Sequence, residues 1–164
     1  MNIFFLDRDP ARAARFHSDV HVVKMVLETA QILCTVLHRY HLPAPYKPSH
    51  AHHPCVLWAG DSLPHYLWTR RLGLELAKEY RYRSTRDHAS EAIIQGTPKN
   101  PPIPDLGWTE PAQAMPELYR GSDPVAAYRA YYAETKSVFP GKGQARWTGR
   151  RIPGFMRPFI LGSS

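Results

Sequence analysis

Glu28, Lys24, His21 and Gln31 are the residues of this chain whose types and spacing suit chemistry. On an α-helix at about 100° per residue, three- and four-residue intervals bring a carboxylate, an amine, an imidazole and an amide onto one face. Glu28 can take a proton or stabilise an oxocarbenium-like sugar cation. Lys24 can form a Schiff base with a sugar aldehyde if burial depresses its pKa. His21 can protonate a leaving base. The competing reading is a structural Lys24–Glu28 pair among satisfied polar neighbours, although Lys before Glu is the weaker i,i+4 order.

These residues lie in DVHVVKMVLETAQILCTVLHRY, residues 19–40, a helix with inverted amphipathic proportions. Apolar side chains cover most of its circumference, and the polar ones, with Thr35 and His38, fall on roughly a quarter of it. Such a helix is expected to be mostly buried, with its polar stripe lining a cleft or satisfied internally. Ser18 or Asp19 caps its start, and His41-Leu-Pro-Ala-Pro ends it. NIFFL, residues 2–6, reads as a short buried extended segment, and Asp9-Pro10 opens a short helix to about His17. Further helices are expected from Pro54 to about Gly60, from about Asp61 to Arg83, from Ser84 to Gln95, and from Pro124 to about Lys136. The fold class is therefore all-α. It is expected to be a single compact domain over residues 1–164, a bundle of about five helices around a central buried helix, with long Pro-rich loops.

The remaining candidates sit on the connections and on the later helices. The loop HLPAPYKPSHAHHP carries Lys47, His50, His52 and His53 over the cleft, followed by Trp58. Its HxHH run lacks helical i,i+4 spacing and a nearby carboxylate, so no metal site is expected. Five prolines fall between residues 98 and 111. An irregular stretch this long within a compact domain is usually functional. It leads into Gln113, which can read a base edge, while Trp108 or Met115 can stack or wedge; a loop pinned over the core is the alternative. Tyr128 joins His50, His53, Trp58, Gln31 and Gln113 as candidate substrate contacts.

Composition points to a polyanion. The net charge is +7, Arg outnumbers Lys more than two to one, and 12% of residues are aromatic. Cations hold phosphates and flat rings stack bases; an Arg-rich codon bias is the bland alternative. Lys47, Arg70, Arg71, Arg129, Trp147, Arg150 and Arg151 are the candidate nucleic-acid contacts. The last three lie in a basic aromatic arm, about 141–164, resting on a partner or on the domain itself. DNA is the expected partner, double-stranded rather than single-stranded, with no obligate protein partner. Cys34 and Cys55 read as buried thiols. MNIFFLDRDP lacks a signal-peptide pattern and no apolar run approaches the ~20 residues of a membrane span, so a cytoplasmic protein without membrane contact is expected. No Gly-rich phosphate loop is present and no obligatory cofactor is expected.

The segments MNIFFLDRDP, HVVKMVLETAQIL, YKPSHAHHPCVLW, EPAQAMP, DPVAAYRAYY and ARWTGRRIP together resemble a family of small phage and bacterial proteins, over nearly the whole chain. The plan also distantly resembles the pyrimidine-dimer DNA glycosylases of the T4 endonuclease V type, which are small, basic and helical. That resemblance implies Glu28 as the catalytic carboxylate and the amine of Met1 as the nucleophile; Lys24, which has no counterpart in that family, is the substitute nucleophile that this chain's own stripe offers. The chain departs from it at Asn2, a residue that normally leaves Met1 in place. The function expected is a DNA glycosylase-like enzyme in DNA repair or modification. It would flip out a damaged or modified base and hydrolyse its N-glycosidic bond, with a possible Schiff-base lyase step. A transferase modifying thymine in DNA and a non-catalytic nucleic-acid-binding module are the alternatives.

Overall fold

A computed structural model describes residues 1–160 of the chain. Six α-helices run as α1 (Pro10–Phe16), α2 (Asp19–Arg39), α3 (Pro54–Asp61), α4 (Leu63–Ser84), α5 (Glu91–Gly96) and α6 (Pro124–Thr135). A two-residue hairpin, β1 (Val138–Phe139) and β2 (Gly143–Gln144), and 3-10 turns at Glu117–Tyr119 and Gly154–Phe159 complete the described structure. The fold is all-α in class, with α2 at its centre. The local chemistry explains the boundaries. Asp9 and Asp123 cap α1 and α6 through their side chains, each followed by a proline at the first helical position.

α2 is long and apolar enough by length and composition to cross a membrane, although polar residues interrupt its apolar run. Here 72% of that apolar window is buried inside the fold. It packs against α3, α4 and α5. The contact with α4 is tight at Gly73. A Cβ there would stand 2.7 Å from Thr29 Cγ2 and 2.8 Å from Ile94 Cδ1. Thr29 cannot swing aside freely, because it is stiff at χ1 and its hydroxyl donates to the Met25 carbonyl at 2.6 Å.

The expected helix from Ser84 to Gln95 is corrected. Ser84 belongs to α4, and Thr85 turns left-handed with φ 61° to close it. His88 then holds the turn, with Nε2 on the Val23 carbonyl and Nδ1 accepting from Ser90 N. Helix resumes only at Glu91. A residue in the left-handed region ends an α-helix whatever its neighbours' propensity.

Residues 141–160, expected as an arm on a partner or on the domain, dock on the domain. Trp147, Met156 and Ile160 are buried, and Trp147 Nε1 donates to the Phe16 carbonyl at 2.9 Å. The dock is electrostatic as well. Buried Arg83 donates to Glu79, to Asp19 and to the carbonyls of His17 and Arg15. Arg150 reaches the other oxygen of Glu79 at 2.6 Å, and Thr148 bonds Asp19 through both its backbone N–H and its hydroxyl. Every charged partner is thereby satisfied, as burial of ions requires.

Gly73→Val is expected to destabilise the protein by about 2 kcal/mol, the usual cost of overpacking a closed helix contact. Urea denaturation checks it, and an unchanged midpoint would show that α2 and α4 can part without cost.

Candidate functional site

The polar stripe of α2 is the bed of the chain's own N-terminal segment. Ile3, Phe4, Phe5 and Leu6 are buried in irregular backbone, with Leu6 N turned onto the Phe4 carbonyl at 2.9 Å and no strand beside them among the described residues. Phe4 covers His21, ring centroids 4.8 Å apart, and Asn2 reaches Glu28 two turns further along the helix. The segment therefore runs antiparallel to α2 along the stripe.

Glu28 is the point where this segment ends. Its Oε2 accepts from the backbone N–H of Asn2 at 3.1 Å. Its Oε1 lies 3.8 Å from the amine of Met1 and 3.6 Å from Lys24 Nζ. The Glu28 side chain is only 11% exposed, whereas Lys24 is 60% exposed. The Met1 side chain is 1% exposed, yet the residue as a whole is partly accessible. Solvent therefore touches its main chain, where the amine is, and not its thioether. One carboxylate thus faces two amines, one anchored by a buried side chain and one on a flexible stem.

Asn2 fixes this geometry. Its Nδ2 donates to the Ala114 carbonyl at 3.0 Å and its Oδ1 accepts from Ile3 N at 2.8 Å. The Cys55 thiol lies 3.4 Å from the same Oδ1. Tyr128, fully buried, donates to the Ala112 carbonyl and accepts from Ala114 N, so it clamps the loop that grips Asn2. Burial pushes the Tyr128 phenol and the Cys55 thiol up, which keeps both protonated.

The histidine loop reaches the same place. His53 caps α3, its Nδ1 accepting from Cys55 N at 3.1 Å. An amide N–H can only donate, so Nδ1 carries the lone pair and the neutral ring holds its proton on Nε2. Burial lowers the His53 pKa, the Met1 amine and His50 lower it further, and Glu28 opposes them. His50 is exposed, with φ 52° and its Nδ1 on the Ser49 hydroxyl at 2.7 Å.

The structure does not bring every candidate to this point. His21 is buried, with Nδ1 on the Tyr132 hydroxyl at 2.7 Å and Phe4, Tyr132 and Phe139 around it. It packs the stripe shut and does not face a substrate. Gln31 is half-buried one turn beyond Glu28. Trp58 is buried and stacked on His65 at 4.3 Å. Gln113 uses both ends of its amide on the backbone of Gly121. Arg70 is tied to Thr97 and Gln95, and Arg129 to Leu6 and Asp7. Trp147 and Arg150 serve the C-terminal dock. Lys47, Arg71 and Arg151 remain exposed. Asn2 and Cys55 are the participants that sequence reasoning missed. The available signal was Asn2 itself, the one polar side chain in the first six residues. Among the described residues no three metal-binding side chains converge.

Comparison with known proteins finds no matching family model, no matching curated protein and no matching solved structure.

The covered end of the stripe makes the fold acid-sensitive. His17 donates from Nδ1 to the Ala13 carbonyl, and its Nε2 is buried without a partner among the described residues. Burial pushes the His17 pKa down to about 4. Burial also pushes His21 down to about 2, with the charges of His17, Lys136 and Lys24 adding to the effect. Unfolded imidazoles titrate near ~6.5. Stability is therefore fully present above about pH 6.5 and is lost as pH falls toward 4, up to about tenfold in the folding constant per ring per pH unit. Denaturant titrations between pH 7.5 and 4.5 are expected to show this slope, reduced by about one proton in His17→Gln. A wild-type profile flat over that range would contradict the burial of both neutral rings.

Proposed function

We propose that the protein is a DNA glycosylase-like enzyme that releases a damaged or modified base, with Glu28 as the catalytic carboxylate and the Met1 amine as the nucleophile. The observation that carries this reading is the pairing of a buried carboxylate with a main-chain amine that solvent reaches. The net charge of +7 and the exposed cations Lys47, Arg71 and Arg151 support a phosphate-bearing substrate.

The chemistry follows from the geometry. The amine attacks C1′ of the sugar with its lone pair, and the N-glycosidic bond breaks with its electrons going to the base. Glu28 stabilises the positive charge that develops on the sugar and takes the proton that the attacking amine must lose. The departing base nitrogen gathers negative charge, and the Nε2–H of neutral His53 is the hydrogen-bond donor in this corner that stabilises it, the proton itself coming from solvent. Opening of the sugar ring, with the proton held on Glu28 passing to O4′, then yields an iminium between the amine nitrogen and C1′. That intermediate can be hydrolysed, or lose its 3′-phosphate by elimination.

Met1 is preferred over Lys24 on physical grounds. Lys24 lacks the burial that would make it a better nucleophile. A side chain locked in the core also holds the Met1 amine in place, which a four-carbon stem does not.

Defined duplexes carrying modified or damaged pyrimidines test this directly. Wild type is expected to release the base, and borohydride is expected to trap a covalent adduct that peptide mapping places on Met1. Glu28→Gln keeps an oxygen for Asn2 N and should fold, yet lose at least about 100-fold in rate. Base release by Glu28→Gln at the wild-type rate would sink the proposal. An adduct on Lys24 would move the nucleophile there. A changed base mass with the sugar–base bond intact would favour transfer instead.

His53→Phe, which leaves no donor at that position, should slow release of bases that leave poorly by about 100-fold and matter less for bases that leave easily. Equal loss on both kinds of base would show that His53 only shapes the loop.

A further inference from the structure

We propose that the β1–β2 hairpin docks in the major groove of duplex DNA on one side of the Glu28 site, with Val138 against thymine methyl groups and Lys142 and Arg146 on the phosphates. The inference rests on the DNA reading above and adds a docking element and its distance from the reacting base.

The hairpin is short and well fixed at its base. Val138 pairs with Gln144 and Phe139 with Gly143, and Ala145 N donates to the Ser137 carbonyl at 2.8 Å. Gly141 and Gly143 take positive φ of 73° and 78°, which lets the tip turn tightly. Asp19 N donates to the Arg146 carbonyl at 2.8 Å, which ties the hairpin to the first turn of α2. Successive side chains on a strand point to opposite faces. Phe139 points inward, its ring 5.2 Å from that of His21. Val138 must then point out, and it is 59% exposed.

Position and charge together select the partner. His21 lies two helical turns before Glu28 on nearly the same line of α2, a separation of about 10 Å. That is about three base-pair steps at ~3.4 Å each. From Lys136 to Arg146 the chain carries three cations and no carboxylate. Neither Lys142 nor Arg146 has an acidic partner among the described residues, and both are exposed. A two-stranded ribbon fits a major groove about 12 Å wide, where an outward apolar side chain meets the thymine C5-methyl. An apolar residue set between unpaired cations suits a methyl-bearing groove lined by phosphates.

The test uses the full chain and duplexes bearing a base that the wild type releases. Lys142→Ala is expected to weaken duplex binding about fivefold and to lower the salt slope by about one. Val138→Asp should weaken it about tenfold. Replacing thymine by uracil two to four steps from the target should weaken wild type but not Val138→Asp. Lys99→Ala, in the separate groove beside Arg70, should leave binding unchanged. Melting temperatures would confirm that the variants fold. If wild type binds and acts on duplexes while Lys142→Ala and Val138→Asp bind equally well, the hairpin assignment is overturned and the DNA reading stands. If Val138→Asp abolishes self-association without changing duplex affinity, the hairpin is a protein contact and the assignment is likewise overturned. If wild type does not bind duplex DNA at all, the functional reading fails and the hairpin assignment falls with it.

Discussion

Burying a non-helical segment inside a helical core is the constraint on which this molecule is built. Residues 3–6 lie in the core without a neighbouring strand among the described residues, so their backbone groups cannot be paired in a ladder. Each must find a side chain, a loop or a turn of the segment itself, as Leu6 N does on the Phe4 carbonyl, because an unpaired buried amide costs about as much as a lost hydrogen bond. Glu28 accepts from Asn2 N, the Asn2 side chain from Ile3 N, and the Leu6 carbonyl takes Arg129 Nε. The loop at 112–114, clamped by Tyr128, holds Asn2 in turn. Residues scattered from position 2 to 129 thus answer one local need. That need also explains why a carboxylate sits nearly buried at the point where the Met1 amine arrives.

This arrangement makes structure and chemistry hard to separate at Glu28. One oxygen is committed to the backbone of Asn2, and the other faces two amines. The structural oxygen fixes the carboxylate's orientation, and the second is thereby aimed. A surface Lys–Glu pair would be worth little and would wander. Lys24 here contributes charge more than position, because it is largely in solvent. The Met1 amine contributes position, because its side chain is locked in the core.

Much of this was legible from residue order. The helix at 19–40 announced its burial through its apolar circumference, and proline with a capping aspartate marked the starts of α1 and α6. Glu28 stood out as the carboxylate on the wrong kind of helix. What periodicity could not reveal was which element covers the stripe. His21, Glu28 and Lys24 share a face, but only the path of residues 1–6 decides that His21 is sealed under Phe4 while Glu28 meets the Met1 amine and keeps 11% of its side chain exposed. Composition was equally blind to Arg129, Trp147 and Arg150, which resemble nucleic-acid contacts yet close internal hydrogen bonds. Arg and Trp are the residues that do both tasks well, so their frequency cannot separate the two.

The tryptophans carry a consequence of a different kind. Trp58, Trp68 and Trp108 form one cluster, their ring centroids 5.3 to 6.4 Å apart, with His65 stacked on Trp58. Trp147 is buried apart from them, under the C-terminal dock. At such separations excited indoles share their transitions, so the trio should act as one optical unit with a strong coupled band in circular dichroism. Trp147 remains a solitary chromophore whose emission reports whether the C-terminal segment is seated. The fold has thereby divided its intrinsic fluorescence into two channels, one for the helical core and one for the strap that closes it.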